Sequence, residues 1–582
     1  MRFIIPNPII KSLHGKLVIA LESKDTSEET KLLIEHQHTI ENWLKKTERY
    51  GYSRDETAEI KSGDFALDLV PIFYDIIKNI RDVKGKNKLK SQIESYVNLM
   101  DNPSGAVVKD LSILPDALFE YISLHKDHWL YTEDSAGHMH PLVAVNSVYA
   151  EAENRDNYYT PAQVTLDISY SNLGSSSGKN ATFYIQDLKG GVTCQELLNK
   201  AGLYLGNENL DEVYFEELKR YNKYKKQIGA QFSGVGVGSE SDDGSHRWHR
   251  SGLTSLLHDG YPTKLVVDVH DGYAKIADIT SKWRKRVNDK AFKLDKDFIT
   301  EGEHVAPPPS TYLHMFSLKE HSFYLVHVND IMPYEWDPSL KDKLVLPEKH
   351  KSLIDVLTLG TEDIMDDIVK GKTGGIIVVA TGLPGVGKTL TAEVYSEVVK
   401  KPLYIVQASQ LGIDPERLEK NLNKVLERAT RWSAILLIDE CDVYVRNRGN
   451  DISQNAIVGV FLRVLEYYRG ILFMTSNRGT IIDDAILSRA TAHIRYVSPD
   501  MDAKVKIWKI LVDQFKLDME DNLISECLVE IPKLQLVTGR DIKSILKLAG
   551  LLSKRQKTEI TREMIEYSIE FQDINLLGEE DK

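Results

Sequence analysis

Residues Ile376–Thr391 read IIVVATGLPGVGKTLT. The run Ile376-Ile377-Val378-Val379 is apolar and rich in β-branched residues, which predicts a buried parallel strand. Gly382-Leu383-Pro384-Gly385-Val386-Gly387-Lys388-Thr389 then matches G-x-x-x-x-G-K-[ST], the phosphate-binding loop. Its glycines let backbone N–H groups converge on phosphate oxygens. The Lys388 ammonium reaches the β- and γ-phosphates, and the Thr389 hydroxyl is a ligand type for Mg²⁺. The helix that follows aims its positive end at the same place. A chance Gly-rich turn would lack this strand–loop–helix frame.

The chain beyond the loop fits the same chemistry. Leu403-Tyr-Ile-Val406 reads as a second buried strand, and Asp414-Pro415 as the cap and first turn of a helix. That helix has an apolar face of Leu418, Leu422, Val425 and Leu426. Ala434-Ile-Leu-Leu-Ile-Asp439-Glu440 is an apolar strand ending in two acids, and such strands end where ligands bind. Asp439 is placed to hold Mg²⁺ and Glu440 to polarise the attacking water. Ile471-Leu-Phe-Met-Thr-Ser-Asn477 is another strand with a polar end, which brings Asn477 towards the γ-phosphate or that water. Asp483–Arg489 carries an arginine past an apolar turn, and Thr538-Gly539-Arg540-Asp541 lies in a helical C-terminal stretch.

At 582 residues the chain is too long for one core. Its 42% hydrophobic and 27% charged residues suit a folded soluble protein. The net charge of −13 means that any nucleic-acid surface must be local. The three cysteines, Cys194, Cys441 and Cys527, are far apart and lack metal-ligand spacing, so they read as reduced thiols. The N-terminus makes a poor signal peptide, and no run approaches the ~20 apolar residues that span a bilayer. A cytoplasmic protein without membrane contact is the expectation.

Residues 1–128 read as mainly helical. Leu33, Ile40, Trp43 and Leu44 share a stripe behind a Ser27 cap, Pro71 marks a kink or break in Phe65–Ile80, and a third segment surrounds Leu118. Residues 129–330 read as β-rich, with strands at 164–170, 181–186, 264–270 and 322–327 and a helical insert near Leu197–Lys226. Gly234-Val-Gly-Val-Gly238 has the wrong spacing for a dinucleotide fingerprint and reads as a flexible or ligand-lapping loop. His138, His140, His246, His249 and His270 lack the company that would complete a metal site. Two basic clusters carry aromatics, Lys219–Lys226 and Lys282–Arg286, a composition suited either to single-stranded nucleic acid or to a solvated face. The turn-rich Asn329–Ser339 predicts a domain boundary.

Residues from about 340 to 565 resemble the ATPase module of the AAA+ superfamily, whose members work as rings. The resemblance lies in LPGVGKTLTAE, RWSAILLIDECDVYV, VFLRVLEYYRGILFMTSNR, DDAILSRATAHIRY and TGRDIKSILKLA. The specific resemblance is to a group abundant in fungi, with bacterial relatives, whose members carry a long N-terminal region of poorly known function. It implies a P-loop NTPase parallel α/β sheet with a C-terminal helical lid; with the helical N-terminal region and β-rich middle domain read from the patterns above, the expectation is a multidomain α/β chain. The domains would be 1–128, 129–330 (partner recognition), 331–500 (large ATPase subdomain) and 501–582 (lid).

It further implies ATP and Mg²⁺ as cofactors. Gly382 to Thr389, with Leu390 and Asp439, would bind nucleotide; Thr389 and Asp439 would hold the metal. Glu440, Asn477, Lys388, Arg489 and Arg540 would act in hydrolysis. Asn477 takes the place of sensor 1 and Arg540 of sensor 2. Arg489 would act in trans across a ring, expected to be a hexamer, although this segment lacks the second arginine and R-F-D ending of many unfolding relatives; Arg495 is the fallback. The loop Gln410–Asp414 has no aromatic, so only Leu411 or Ile413 could grip a threaded chain. The resulting expectation is an ATP-driven enzyme that remodels a protein partner. The alternatives are a nucleic-acid-linked ATPase in genome maintenance or anti-phage defence, using the two basic clusters, and a nucleotide-switched scaffold.

Overall fold

The computed structural model describes the chain apart from residues 1, 24, 50–56, 62–64, 81–82, 151–152, 156–157, 173–174, 242–252, 269–280, 289–298, 306–307, 360–374, 447–451, 467, 478–481, 521 and 573–582. It divides into two compact units, Met1–Asn222 with His270–Tyr312, and Lys223–Val269 with Leu313–Lys582.

The first unit opens with a strand, Arg2–Pro6, paired antiparallel with Thr57–Lys61. Helix Asn7–Glu22 follows, carrying Pro8 in its first turn, where a missing N–H costs nothing. Ser27 caps helix Glu28–Glu35 by accepting from the Thr30 N–H, and the predicted stripe continues into a separate helix, Gln37–Arg49. Pro71 neither kinks nor breaks a helix. It begins one, Val70–Asn79, after a 3₁₀ turn at Leu67–Leu69. Trp43, Phe65 and Phe73 meet in the resulting core. Beyond helices Lys86–Asp101 and Leu114–Ile122, the strands Trp129–Glu133, Met139–Ala150, Gln163–Asn172 and Ser175–Tyr184 build a largely antiparallel sheet. The ladder of Gln163–Asn172 and Ser175–Tyr184 runs on past the expected strand ends, to Asn172 opposite Ser175. The helical insert is two helices, Cys194–Lys200 and Glu208–Tyr224.

The second unit contains a five-stranded sheet, in the order 403–407, 435–439, 471–476, 376–381, 492–495. All neighbouring pairs are parallel. The central strands are buried along their length, as their unbroken apolar sequence requires. Helices Lys388–Val399, Pro415–Arg431 and Ile452–Leu465 connect the strands, and four helices from Met501 to Glu570 form a C-terminal cluster around Trp508.

The boundary at 330 does not appear in this unit. Strands Gln231–Gly234, Val237–Ser241, Tyr261–Val267, Phe323–His327 and Ile331–Pro333 belong to one antiparallel sheet, so Asn329–Ser339 contains a sheet strand. That sheet shares a core with the parallel one: Phe316 meets Tyr404 and Trp432, and the Arg428 guanidinium lies over Phe316 and Phe323. Arg431 pairs with the buried Asp268 at 2.5 Å. The glycine run 234–238 is a tight strand connection, its Val235 and Gly236 N–H groups donating to the Asp330 carbonyl at 2.8 and 3.3 Å. It has no loose lap to offer a ligand.

Candidate functional site

A parallel sheet brings every strand's carboxyl end to one edge. Thr381, Asp439 and Ser476 end three neighbouring or near-neighbouring strands there. The loop after Thr381 is shaped by two glycines. Gly382 has φ +145°, and a Cβ would lie 2.3 Å from the Tyr496 carbonyl oxygen. Gly385 has φ +82°, and a Cβ would lie 2.6 Å from the Thr538 hydroxyl. Side chains are therefore excluded at both positions by backbone conformation and by space. The Arg540 N–H donates to the Gly385 carbonyl at 3.3 Å, which ties the loop to the C-terminal helices.

Helix Lys388–Val399 begins directly after this loop. The Lys388 ammonium, with its residue 7% exposed, donates to the carbonyls of Gly382 (2.7 Å) and Leu383 (2.8 Å) and to Asn477 Oδ1 (2.9 Å). Burial lowers its pKa, and the nearby Asp439 works against that shift. The Thr389 hydroxyl donates to Asp439 Oδ1 at 3.1 Å. The Thr475 hydroxyl donates to the same oxygen. Glu440 has a positive φ of 54°, and its N–H donates to Thr475 Oγ1 at 3.1 Å. Asp442 accepts from the Ser476 hydroxyl and, at 3.2 Å, from the Asn477 N–H.

These groups face one cavity of about 1600 Å³. Pro384 to Leu390, Asp439, Glu440, Thr475, Asn477 and Arg540 all line it. Gly382 and Leu383 do not; their carbonyls hold Lys388 from behind. Two apolar walls that the sequence reading missed complete the cavity: Leu344, Leu346 and Pro347 on one side, Ile507 and Leu511 on the other. Only long-range packing joins them, so no local pattern could have revealed them. Lys543, one helical turn after Arg540, is a further cation there. Thr389 and Asp439 present hard oxygen donors side by side, a donor set that fits Mg²⁺.

Arg489 and Arg495 stand apart from this group. Arg489 is exposed on the last turn of helix Asp484–Arg489, where its Nη1 donates to the Ala485 carbonyl at 3.2 Å. Neither arginine lines the cavity.

Other expected sites look different in three dimensions. Leu411 is 1% exposed and packed in the core, leaving Ile413, 73% exposed, as the apolar residue its loop presents. In Lys219–Lys226, Tyr224 packs edge-on against Phe232, and burial raises the Tyr221 phenol pKa. Lys282–Arg286 lies in strand Ser281–Asn288, but its side chains fall outside the described residues, as do His246, His249 and His270. Among the described residues, no three His, Cys, Asp or Glu side chains are grouped to hold a metal, and no helix is long and apolar enough to cross a membrane. The three cysteines are buried, and burial raises the Cys194 pKa to about 12.

Residues 378–497 match the family model described as ATPase family associated with various cellular activities. The chain is 28% identical over 199 residues to an ATP-dependent zinc metalloprotease FtsH of Acholeplasma laidlawii, covering 31% of this chain and 30% of that protein. It is 26% identical over 206 residues to a putative 26S proteasome regulatory subunit homolog of Methanothermobacter marburgensis, covering 33% and 54%. It is 26% identical over 224 residues to the ATPase family gene 2 protein of Schizosaccharomyces pombe, covering 33% and 27%. The chain thus spans between about a quarter and a half of the length of these curated relatives.

Proposed function

We infer that this chain, which carries an ATPase domain of the AAA+ superfamily, hydrolyses ATP to ADP and phosphate and uses the turnover to remodel a protein partner. The observation that carries the reading is the meeting, in one cavity, of Lys388 bonded to Asn477 and Thr389 bonded to Asp439, with Glu440 and Arg540 beside them.

In this reading the loop N–H groups and Lys388 bind the β- and γ-phosphates, and the base lies between the 344–347 wall and the Ile507–Leu511 wall. Mg²⁺, held through Thr389 and Asp439, would neutralise phosphate charge when bound. Glu440 accepts a proton from the attacking water, and Asn477 orients that water. Arg540 lies on a helix of the C-terminal cluster and touches the loop through its own N–H, so it can pass a change at the γ-phosphate to that cluster. Arg489, exposed and outside its own chain's cavity, is free to reach the nucleotide of a neighbouring subunit in a ring. Its use there makes hydrolysis depend on assembly.

A protein partner is favoured over nucleic acid because Tyr224, one of the two tyrosines of Lys219–Lys226, is engaged edge-on with Phe232. With Leu411 buried, the partner is moved or switched in conformation; the loop after the 403–407 strand offers little grip for processive threading. The test is ATPase activity of the purified chain alone, with unfolded polypeptide, and with single-stranded and duplex DNA or RNA. The reading expects Mg²⁺-dependent phosphate release that nucleic acid leaves unchanged. Stimulation by nucleic acid would instead establish the alternative.

A further inference from the structure

We propose that Thr475 is a positioning residue for ATP hydrolysis: one hydroxyl fixes both acids, donating to Asp439 and accepting from the backbone of Glu440. The inference rests on the roles given above to those two acids.

Thr475 is the penultimate residue of strand Ile471–Ser476 and is 2% exposed. A hydroxyl has one proton to give and lone pairs to accept with, so it can serve both neighbours at once. It gives the proton to Asp439 Oδ1, the oxygen that also receives the Thr389 hydroxyl at 3.1 Å. That carboxylate is thereby oriented from two sides. It accepts from the Glu440 N–H at 3.1 Å. Glu440 is a non-glycine residue at φ +54°, a conformation that surrounding structure must hold in place. The Thr475 carbonyl supports the same turn, accepting from the Cys441 N–H at 2.9 Å and the Cys441 thiol at 3.1 Å. Both peptide and side chain of Thr475 therefore grip the segment 439–441 on which the acids sit.

A purely structural role makes the opposite prediction from a positioning one. Valine has the shape of threonine and suits a buried strand. If the residue only fills the core, Thr475→Val is neutral or stabilising. If its hydroxyl positions the acids, Thr475→Val leaves the Glu440 N–H without its acceptor and Asp439 without a donor.

The experiment compares the full chain with Thr475→Val and Thr475→Ser. It measures kcat and KM for ATP, the Mg²⁺ concentration at half-maximal rate, the Kd of a fluorescent ATP analogue, and Tm. Thr475→Val is expected to lose kcat by roughly 10- to 100-fold, the effect of one hydrogen bond to a charged group. It should need more Mg²⁺, hold the analogue within about threefold, and lower its Tm by a few degrees, while Thr475→Ser returns kcat to within about threefold. Full activity in Thr475→Val overturns the proposal, as does an equal loss in Thr475→Ser. Should the valine variant not fold, Thr475→Ser against Thr475→Ala gives the same comparison: the serine form active and the alanine form slow supports the proposal, and equal rates overturn it. Glu440→Gln is run alongside. If it keeps full turnover, the assignment of the base fails, which is a different result from a failure at Thr475.

Discussion

At the scale of single residues, the site holds one charge, that of Lys388, where water is scarce. Burial makes the Lys388 ammonium costly, and bonds to two carbonyls and Asn477 offset that cost. Phosphate oxygens are the natural acceptors for such a group. Half-buried His321 shows the same physics. His321 packs against Tyr404, and burial first, then the Arg428 charge, hold its pKa below the ordinary 6.5. The folded chain takes up that proton only at lower pH than the unfolded chain does. Stability from this group is therefore present above about 6.5 and drains as the pH falls below it. Calorimetry at pH 7.5 and 5.5 should show a lower Tm at 5.5, and His321→Gln should narrow the difference. A Tm that rises on acidification, or a difference unchanged in the variant, would contradict this.

At the scale of elements, the parallel strands were legible because their code is local. Apolar runs of five or six residues, a glycine loop of fixed spacing and two acids at a strand end need no knowledge of distant chain. Asp414, Asp483 and Asp500 cap helices as their residue types predict. Thr475 was not legible, since its meaning lies in a neighbouring strand of the sheet. The fusion of the antiparallel sheet with the ATPase core was hidden for the same reason. Lys264 reaches Glu397 across 133 residues and Arg431 reaches Asp268 across 163. Glu397 sits on the helix that begins at Lys388, where it also accepts from the Tyr334 hydroxyl at 2.6 Å. The two sheets should accordingly unfold together. Phe316→Ala, at a fully buried ring shared by both, is expected to cost about 3–5 kcal/mol and to lower ATP-analogue binding in the same thermal transition. Two separate transitions, with the nucleotide-binding one unmoved, would show that the sheets are independent.

At the scale of the whole molecule, the question is whether one chain holds a complete site. Arg489 is exposed and does not line the cavity of its own chain. Arg489→Ala should therefore bind ATP as the parent does and lose roughly 10³-fold or more in turnover. Mixing it with Glu440→Gln, itself inactive, should restore part of the rate, since some interfaces then combine an intact base with an intact arginine. Phosphate release from the mixture that stays at the level of the separate variants would argue against action in trans. The first unit, Met1–Asn222 with His270–Tyr312, lies outside the match to the ATPase family.

The most direct measurement of the central claim is ATP binding and steady-state phosphate release on the full chain, Lys388→Ala and Glu440→Gln, side by side with Mg²⁺. The account predicts that the parent chain binds and turns over. Glu440→Gln should bind ATP and fall by roughly 10²- to 10⁴-fold in rate, as loss of a general base does. Lys388→Ala should lose both binding and turnover. Phosphate release undiminished in Lys388→Ala, or ATP binding absent from the parent chain, would contradict it.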